Sequence, residues 1–385
     1  MVLFFQIFEI MSTQKILFLV GSLEQSKCGV SDYVHLLVER LSKDGHICLC
    51  VAINDRYISR KSFTACCVNE SAGYSFYRYS SSLSWRFRLK QLKKIINDFK
   101  PNITSLQYVP YSFDDKGLPY HLFLTVMQLV DHTKWHIMAH ELWTMPDKGL
   151  IKRLVSLFQK LITINLLKLL RPQVVHVSNF YYRDMLLACG ISSTVLPLFS
   201  HIPVTQILNL KKDDNVWNFV FFGTLSPSWR YSEFFRRVNL ARSKYGIELC
   251  RFCLLGNCGE FADALWLKFK QEKIPFCFEF IRYGYLHESQ ISRFLQLANF
   301  GVTTMPDHLV DKSSGVAAMV AHNLPIIITN ISQKLSKSCH IENNAHHYIQ
   351  MDELFEERLS IQNLYNSNVD QLRETSKQFI FDISV

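Results

Sequence analysis

Short apolar runs that end on glycine or a polar loop, each followed by a stretch of helical period, recur along this chain, and no other feature limits its fold as much. "KILFLVG" (Lys15 to Gly21) reads as a buried parallel strand, because it is apolar on both faces. "GVSDYVHLLVERLSKDGH" (Gly29 to His46) follows. Its Val34, Leu37, Val38 and Leu41 share one helical face, and Gly45 is a stop signal. "ICLCVAI" is the next strand, so the chain opens as a βαβ unit with a right-handed crossover. The pattern continues with a helix, "QLKKIINDFKP", stopped by Pro101, and with strands at "ITSLQYV", "WHIMAHEL" and "QVVHVSN". A long helix is expected from Leu150 to Arg171.

A polar linker, Leu208 to Asn215, precedes a second series. "WNFVFFG", "ELCRFCLLGN", "CFEFIRYGYL", "FGVTTMP" and "PIIIT" are its strands, with helices at "ESQISRFLQLA" and from Ser313 to His322. At 385 residues there is length for two cores. The expected fold is α/β: two doubly wound, Rossmann-like domains facing each other across a cleft, followed by a polar, mainly helical segment.

The net charge of +9 points to an anionic partner: a phosphate, an acidic glycan or a membrane surface. Nucleic acid is not expected, since zinc-finger spacing, RNP-like motifs and dense basic tracts are missing. The eleven cysteines are scattered. Cys250 and Cys253 have C-x-x-C spacing without a second pair, so they read as core thiols and no metal site is expected. Without a convincing export signal, a cytoplasmic home follows. The prefix "MVLFFQIFEI" is too short to span a bilayer and reads either as a surface anchor or as residues ahead of a natural start at Met11.

Ligands of open parallel sheets collect at the carboxyl ends of strands. That rule selects five loops: Gly21 to Asp32, Gln107 to Asp115, His140 to Trp143, Gly223 to Tyr231 and Pro306 to Gly315. Gly29 would let a phosphate or sugar approach a helix start, or is simply a turn glycine. His140 is either structural or placed to bond a sugar hydroxyl or stabilise charge at an anomeric carbon. Tyr108, Tyr111 and Asp114 suit a sugar face and its hydroxyls, or form a core edge with a solvated acidic turn. In "FFGTLSPSWRYSE" a helix opened by Pro227 would carry Arg230 near its N-terminus, where a guanidinium suits a pyrophosphate. Lys312, Ser313, Ser314 and Gly315 bring one cation, two hydroxyls and free amides to another helix start; the serines are alternatively only caps. The Leu150 to Arg171 helix carries Lys152, Arg153, Lys160, Lys168 and Arg171, with Leu157, Ile164, Leu167 and Leu170 intruding on the polar side. It reads as a membrane-surface helix or as a packed helix with a basic edge.

Together "GVSDYVHLLVERLSKDGH", "LQYVPYSF", "AHELW", "VVHVSNFYYRDML", "VLPLFSHIP", "FFGTLSPSW", "GYLHESQISRFLQLANFGVTTMP" and "KSSGVAAMVAHNLPIIIT", in this order, resemble the GT-B glycosyltransferases of the retaining family-4 type. The resemblance implies a nucleotide-diphosphate sugar as donor and a glycan or lipid-linked acceptor, in polysaccharide or glycolipid synthesis. It also implies no cofactor and a cytoplasmic or membrane-peripheral place. A non-catalytic GT-B glycan-binding or partner protein and a sugar-nucleotide epimerase are the alternatives.

The implied catalytic set is His140, Arg230 and Lys312. Gly29, Gly223, Thr224, Tyr283, Ser313, Ser314 and Gly315 would meet the donor, and Tyr108, Tyr111, Asp114 and Glu141 the acceptor. The implied division is an extension over 1–14, an acceptor-side domain over 15–205, a donor domain over 206–340, and a helical segment over 341–385 that crosses back through "KQFIFDISV". Two departures stand out. Thr224 occupies the place of the usual Arg, and the family's E-x7-E carboxylates fall at Val310, beside Asp311, and at Ala318.

Overall fold

The computed structural model describes residues 12–25, 27–58, 63–69, 73–144, 149–207, 211–271, 275–331, 348–360 and 370–384. The N-terminal prefix and the start of the linker lie outside them. The chain divides into two units. Unit 1 comprises Met1–Ser178, Tyr182–Leu196 and Ser376–Val385; unit 2 comprises Asn179–Tyr181 and Pro197–Thr375.

Unit 1 is built on β1 (Lys15–Val20), β2 (Ile47–Asp55), β3 (Phe63–Asn69), β4 (Tyr74–Ser80), β5 (Ile103–Tyr108), β6 (Lys134–Ala139), β7 (Val174–Val177) and β8 (Thr194–Val195). Their order in the sheet is β3-β4-β2-β1-β5-β6-β7-β8, parallel except where β3 runs antiparallel to β4. Helices on a parallel sheet bury both faces of its central strands, which is why Ile16 to Val20 are all inaccessible. The order reverses between β1 and β5, so the loops after these two strands meet at a switch point. They do so closely: a Cβ on Gly21 would lie 2.6 Å from Ser112 Cβ.

Unit 2 is built on β9 (Val216–Phe222), β10 (Leu249–Leu255), β11 (Phe278–Arg282), β12 (Phe300–Pro306), β13 (Ile326–Asn330) and β14 (Tyr348–Gln350), ordered β11-β10-β9-β12-β13-β14 and parallel throughout. Register aligns Phe280 with Phe252, Phe252 with Phe219, and Phe219 with Phe300. The four rings stack across four strands at centroid separations of 5.0, 4.9 and 5.2 Å. Phe234, Phe235, Trp266 and Phe269 from the covering helices close over this ladder. Each such ring pair adds about 0.5–1.5 kcal/mol beyond area burial. The switch point of this sheet lies between β9 and β12.

The helix Leu150–Leu170 packs along one side, but its first half turns polar residues inward and apolar ones outward. Its inward residues include Ser156, Gln159 and Thr163, and Leu166, Leu167 and Leu170 take over only in the last turns. Leu150 and Ile151 are each 79% exposed, and Leu154, Leu157, Phe158 and Leu161 also point outward. Hydrogen-bond partners explain the inward polar residues. Gln159 Oε1 accepts from the Thr144 amide at 2.9 Å, the Ser156 hydroxyl donates to the Thr144 carbonyl, and Thr163 Oγ1 lies 2.8 Å from the Tyr108 hydroxyl.

Candidate functional site

In unit 2 the turn after β9 is tied to the ends of β12 and β13 by side-chain hydrogen bonds. The Ser226 amide donates to Thr304 Oγ1 at 2.7 Å, and Asn330 Nδ2 donates to Ser228 Oγ at 3.4 Å. Gly223 turns the chain with φ +112°, and Thr224 next to it is exposed. The following helix begins at Tyr231 rather than at Pro227, which lies in the turn before it. Arg230 is the residue at that cap and is exposed. After β12 comes a 3-10 turn, Asp307–Lys312, and then the helix Ser314–Ala321. Ser313 Oγ accepts from the Val316 amide at 3.3 Å, so its oxygen serves as the helix cap, while Ser314 is exposed at the first helical position. Asp311, beside half-buried Lys312, bonds the Tyr348 hydroxyl.

Gly315 has a structural reason to be glycine. A Cβ there would lie against the carbonyl oxygen of Phe222, well inside van der Waals contact. The helix start is therefore pressed onto the end of β9, which brings Lys312 to Gly315 beside Gly223 at the switch point; Arg230 caps the helix after the same turn. Tyr283 is not part of that group. It packs on Phe294 with centroids 4.4 Å apart and lines a cavity of about 500 Å³ with Lys212, Arg251 and Glu279. Val310 and Ala318, where the family carboxylates would fall, are both 0% exposed. A ribose is out of reach of either position.

In unit 1, Gly29 opens the first helix with nothing within 4 Å of a hypothetical Cβ. Tyr108 is fully buried, its hydroxyl held by Thr163, so its ring belongs to the core and offers no surface to a ligand. Tyr111 is exposed, and Arg56 donates to its carbonyl at 2.7 Å. Asp114 Oδ1 accepts from the amides of Lys116 and Leu118 at 2.9 and 3.0 Å, which fixes the turn. Glu141 is half-buried just past β6. His140 is buried, edge-on to Tyr33 at 4.9 Å, with Nε2 2.9 Å from Gln107 Oε1. Burial pushes its pKa down to about 3, so it is neutral.

The structure adds a charged cluster beside this switch point. Asp55 Oδ2, at the end of β2, accepts from Arg78 Nε at 2.7 Å and from the Leu23 amide at 3.2 Å, and Arg78 also reaches Glu24 at 2.5 Å. Arg78 lies on β4, a strand the alternation did not announce. The aromatic residues of "YSFYRYS", which favour strands, were the available signal. Cys250 and Cys253 are buried on β10, with thiols pushed up to about 12 by burial. No group of His, Cys, Asp or Glu among the described residues could hold a metal.

No protein-family model matches the chain, and no curated protein matches it. Solved structures do. A protein of Listeria monocytogenes assigned as a UDP-N-acetylglucosamine 2-epimerase is 9% identical, with TM-score 0.55 over 97% of this chain and 96% of the other. α,α-Trehalose 6-phosphate synthase from Burkholderia multivorans is 7% identical, with TM-score 0.54 over 97% and 93%. HepE from Anabaena, solved with UDP-glucose, is 11% identical, with TM-score 0.54 over 96% and 97%. At these identities the likeness is one of fold: two parallel-sheet α/β domains of the GT-B type.

Proposed function

We propose that this protein transfers a sugar from a nucleotide-diphosphate donor to a glycan or lipid-linked acceptor, with retention at the anomeric carbon, in polysaccharide or glycolipid synthesis. The observation that carries the reading is the unit 2 switch point. There the helix start with Ser313 and Ser314, just after Lys312, is packed against the end of β9, and Arg230 caps the helix that follows the turn out of that strand. Cations and unsatisfied backbone amides are what a diphosphate needs. HepE was solved with UDP-glucose, which supports a donor of that chemical class.

In the reaction the bond between the anomeric carbon and the diphosphate oxygen breaks, and the electron pair leaves on the diphosphate. Arg230, Lys312 and the helix amides hold that charge as it forms. The acceptor hydroxyl enters on the face the diphosphate leaves, and its proton passes to a phosphate oxygen. His140 bonds a sugar hydroxyl, and Tyr111, Asp114 and Glu141 serve the acceptor. Incubation of donor and acceptor should release the nucleoside diphosphate and give a product of unchanged anomeric configuration by NMR; an inverted product would remove the retaining mechanism. Conversion of a sugar nucleotide with no acceptor present would favour the epimerase reading that the Listeria neighbour raises.

The helix Leu150–Leu170 supports action at an anionic membrane surface. Its outward apolar row is bordered by Lys152, Arg153 and Lys160, the chemistry of an interfacial helix. No helix among the described residues is long and apolar enough to cross a membrane. The protein is expected to sediment with phosphatidylglycerol vesicles and not with phosphatidylcholine vesicles. Changing Ile151, Leu154 and Phe158 together to Asp should weaken that binding at least about tenfold with little effect on melting. Equal sedimentation of the triple variant would remove the helix from this role.

A further inference from the structure

Six polar side chains of unit 1 form one hydrogen-bonded line through its core. His140 Nε2 lies 2.9 Å from Gln107 Oε1, and Gln107 Nε2 lies 2.7 Å from Ser105 Oγ. Ser105 Oγ is 2.8 Å from His136 Nδ1, His136 Nε2 is 2.9 Å from His176 Nδ1, and His176 Nε2 is 2.8 Å from Asp382 Oδ2. Asp382 sits on the last helix, Gln371–Ser384, 14% exposed, and takes a second bond from Gln378 on Oδ1. The other five are buried. Polar groups inside parallel strands destabilise unless each is paired, and apolar side chains would fill these positions with less risk.

The line has a direction. A carboxylate only accepts, so His176 donates from Nε2 and, when neutral, accepts on Nδ1. His136 then donates from Nε2 and accepts on Nδ1 from the Ser105 hydroxyl. Ser105 accepts from the Gln107 amide, and Gln107 in that orientation turns its carbonyl toward His140. His140 must therefore carry its proton on Nε2. Its Nδ1 lone pair has no hydrogen-bond partner among the described residues. Burial holds both His140 and His136 neutral, so the tautomer rather than the charge is what varies. The reverse direction requires both protons on His176 and an overturned Gln107 amide.

We propose that Asp382, acting through His176, His136, Ser105 and Gln107, sets the tautomer of His140 and so presents the Nδ1 lone pair at the carboxyl end of β6 as an acceptor for a sugar hydroxyl. The five are positioning residues. The line transmits orientation and not protons, because an amide such as that of Gln107 does not pass a proton onward. The role of the lone pair rests on the glycosyl-transfer reading, whereas the tautomer is measured without any substrate, so the two fail separately.

The test is long-range ¹⁵N–¹H NMR on the full chain labelled with ¹⁵N-histidine, with His140 assigned through His140→Gln. Wild type should show the His140 proton on Nε2. Asp382→Ala should populate the Nδ1-protonated form, and Asp382→Asn, which keeps an acceptor oxygen, should restore the original one. Ser105→Ala breaks the line at its middle and should act like Asp382→Ala, which covers the case in which the latter loosens the last helix. A wild-type proton on Nδ1, or an unchanged tautomer in both alanine variants, would overturn the assignment. With a donor that wild type turns over, kcat of Asp382→Ala should fall about ten- to hundredfold at constant donor KM, and Asp382→Asn should recover most of it. An unchanged kcat beside an altered tautomer would overturn the catalytic half. A wild type that turns over no donor removes the glycosyl-transfer reading and leaves the tautomer assignment standing.

Discussion

Gly315→Ala is expected to lower the stability of unit 2 by about 1–3 kcal/mol and to displace the helix start that carries Ser313 and Ser314. The added methyl would meet the Phe222 carbonyl oxygen, which is backbone and cannot rotate away. Either β9 or the helix Ser314–Ala321 must shift, and both form the switch point. Gly29→Ala is the matching control, because open space surrounds that position. It should melt within about 0.5 kcal/mol of wild type. Urea unfolding followed by tryptophan fluorescence compares the two. A Gly315→Ala protein that unfolds and binds donor like wild type would contradict the close packing on which the site depends.

Phe252→Ala should have the larger effect on stability, about 3–5 kcal/mol. Phe252 is inaccessible, sits inside the four-ring ladder and touches Phe219 and Phe280 face to face, with Phe234, Phe235 and Phe278 edge-on. Truncation leaves a cavity between strands whose backbone bonds prevent collapse. Phe261→Ala, on a helix at 45% exposure, should stay within about 0.5 kcal/mol. Equal loss in the two variants would mean that burial of Phe252 in the ladder adds no stability.

The alternation of strand and helix was legible because parallel strands are apolar on both faces, as in "KILFLV" and "PIIIT". β3 and β4 were not, since β4 lies toward the sheet edge and mixes Ser, Tyr and Arg among its apolar residues. β14 is three residues long, too short for a period to register. The helix Leu150–Leu170 could be found but not oriented. Periodicity gives a polar face and an apolar face, and the usual assumption turns the apolar one inward. Here Tyr108 and Thr144 supply hydrogen-bond partners for Thr163, Gln159 and Ser156, and the assumption fails over the first turns of the helix.

The site was readable to the level of loops. The carboxyl-end rule selected the turns after β1, β5, β6, β9 and β12, and in unit 2 the helix start at Gly315 presses on Phe222 at the end of β9. It could not separate Tyr108, the last residue of β5 and turned into the core, from Tyr111, three residues on and turned outward. It also missed the line from His140 to Asp382. Its members are spread from position 105 to 382 and look like isolated interruptions of apolar strands. The readable signal was that "ITSLQY", "KWHIMA" and "VVHV" each place Ser, Gln or His where a buried parallel strand wants an aliphatic residue.

Calorimetric titration of UDP-, GDP-, ADP- and dTDP-sugars into the protein, Lys312→Ala and Arg230→Ala tests the central claim most directly. Wild type should bind at least one donor class saturably. Each variant should bind it roughly ten- to hundredfold more weakly, the loss of one charged hydrogen bond of about 1.5–3 kcal/mol. No binding of any donor by wild type, or unchanged affinity in both variants, would contradict a diphosphate site at the β9 and β12 switch point.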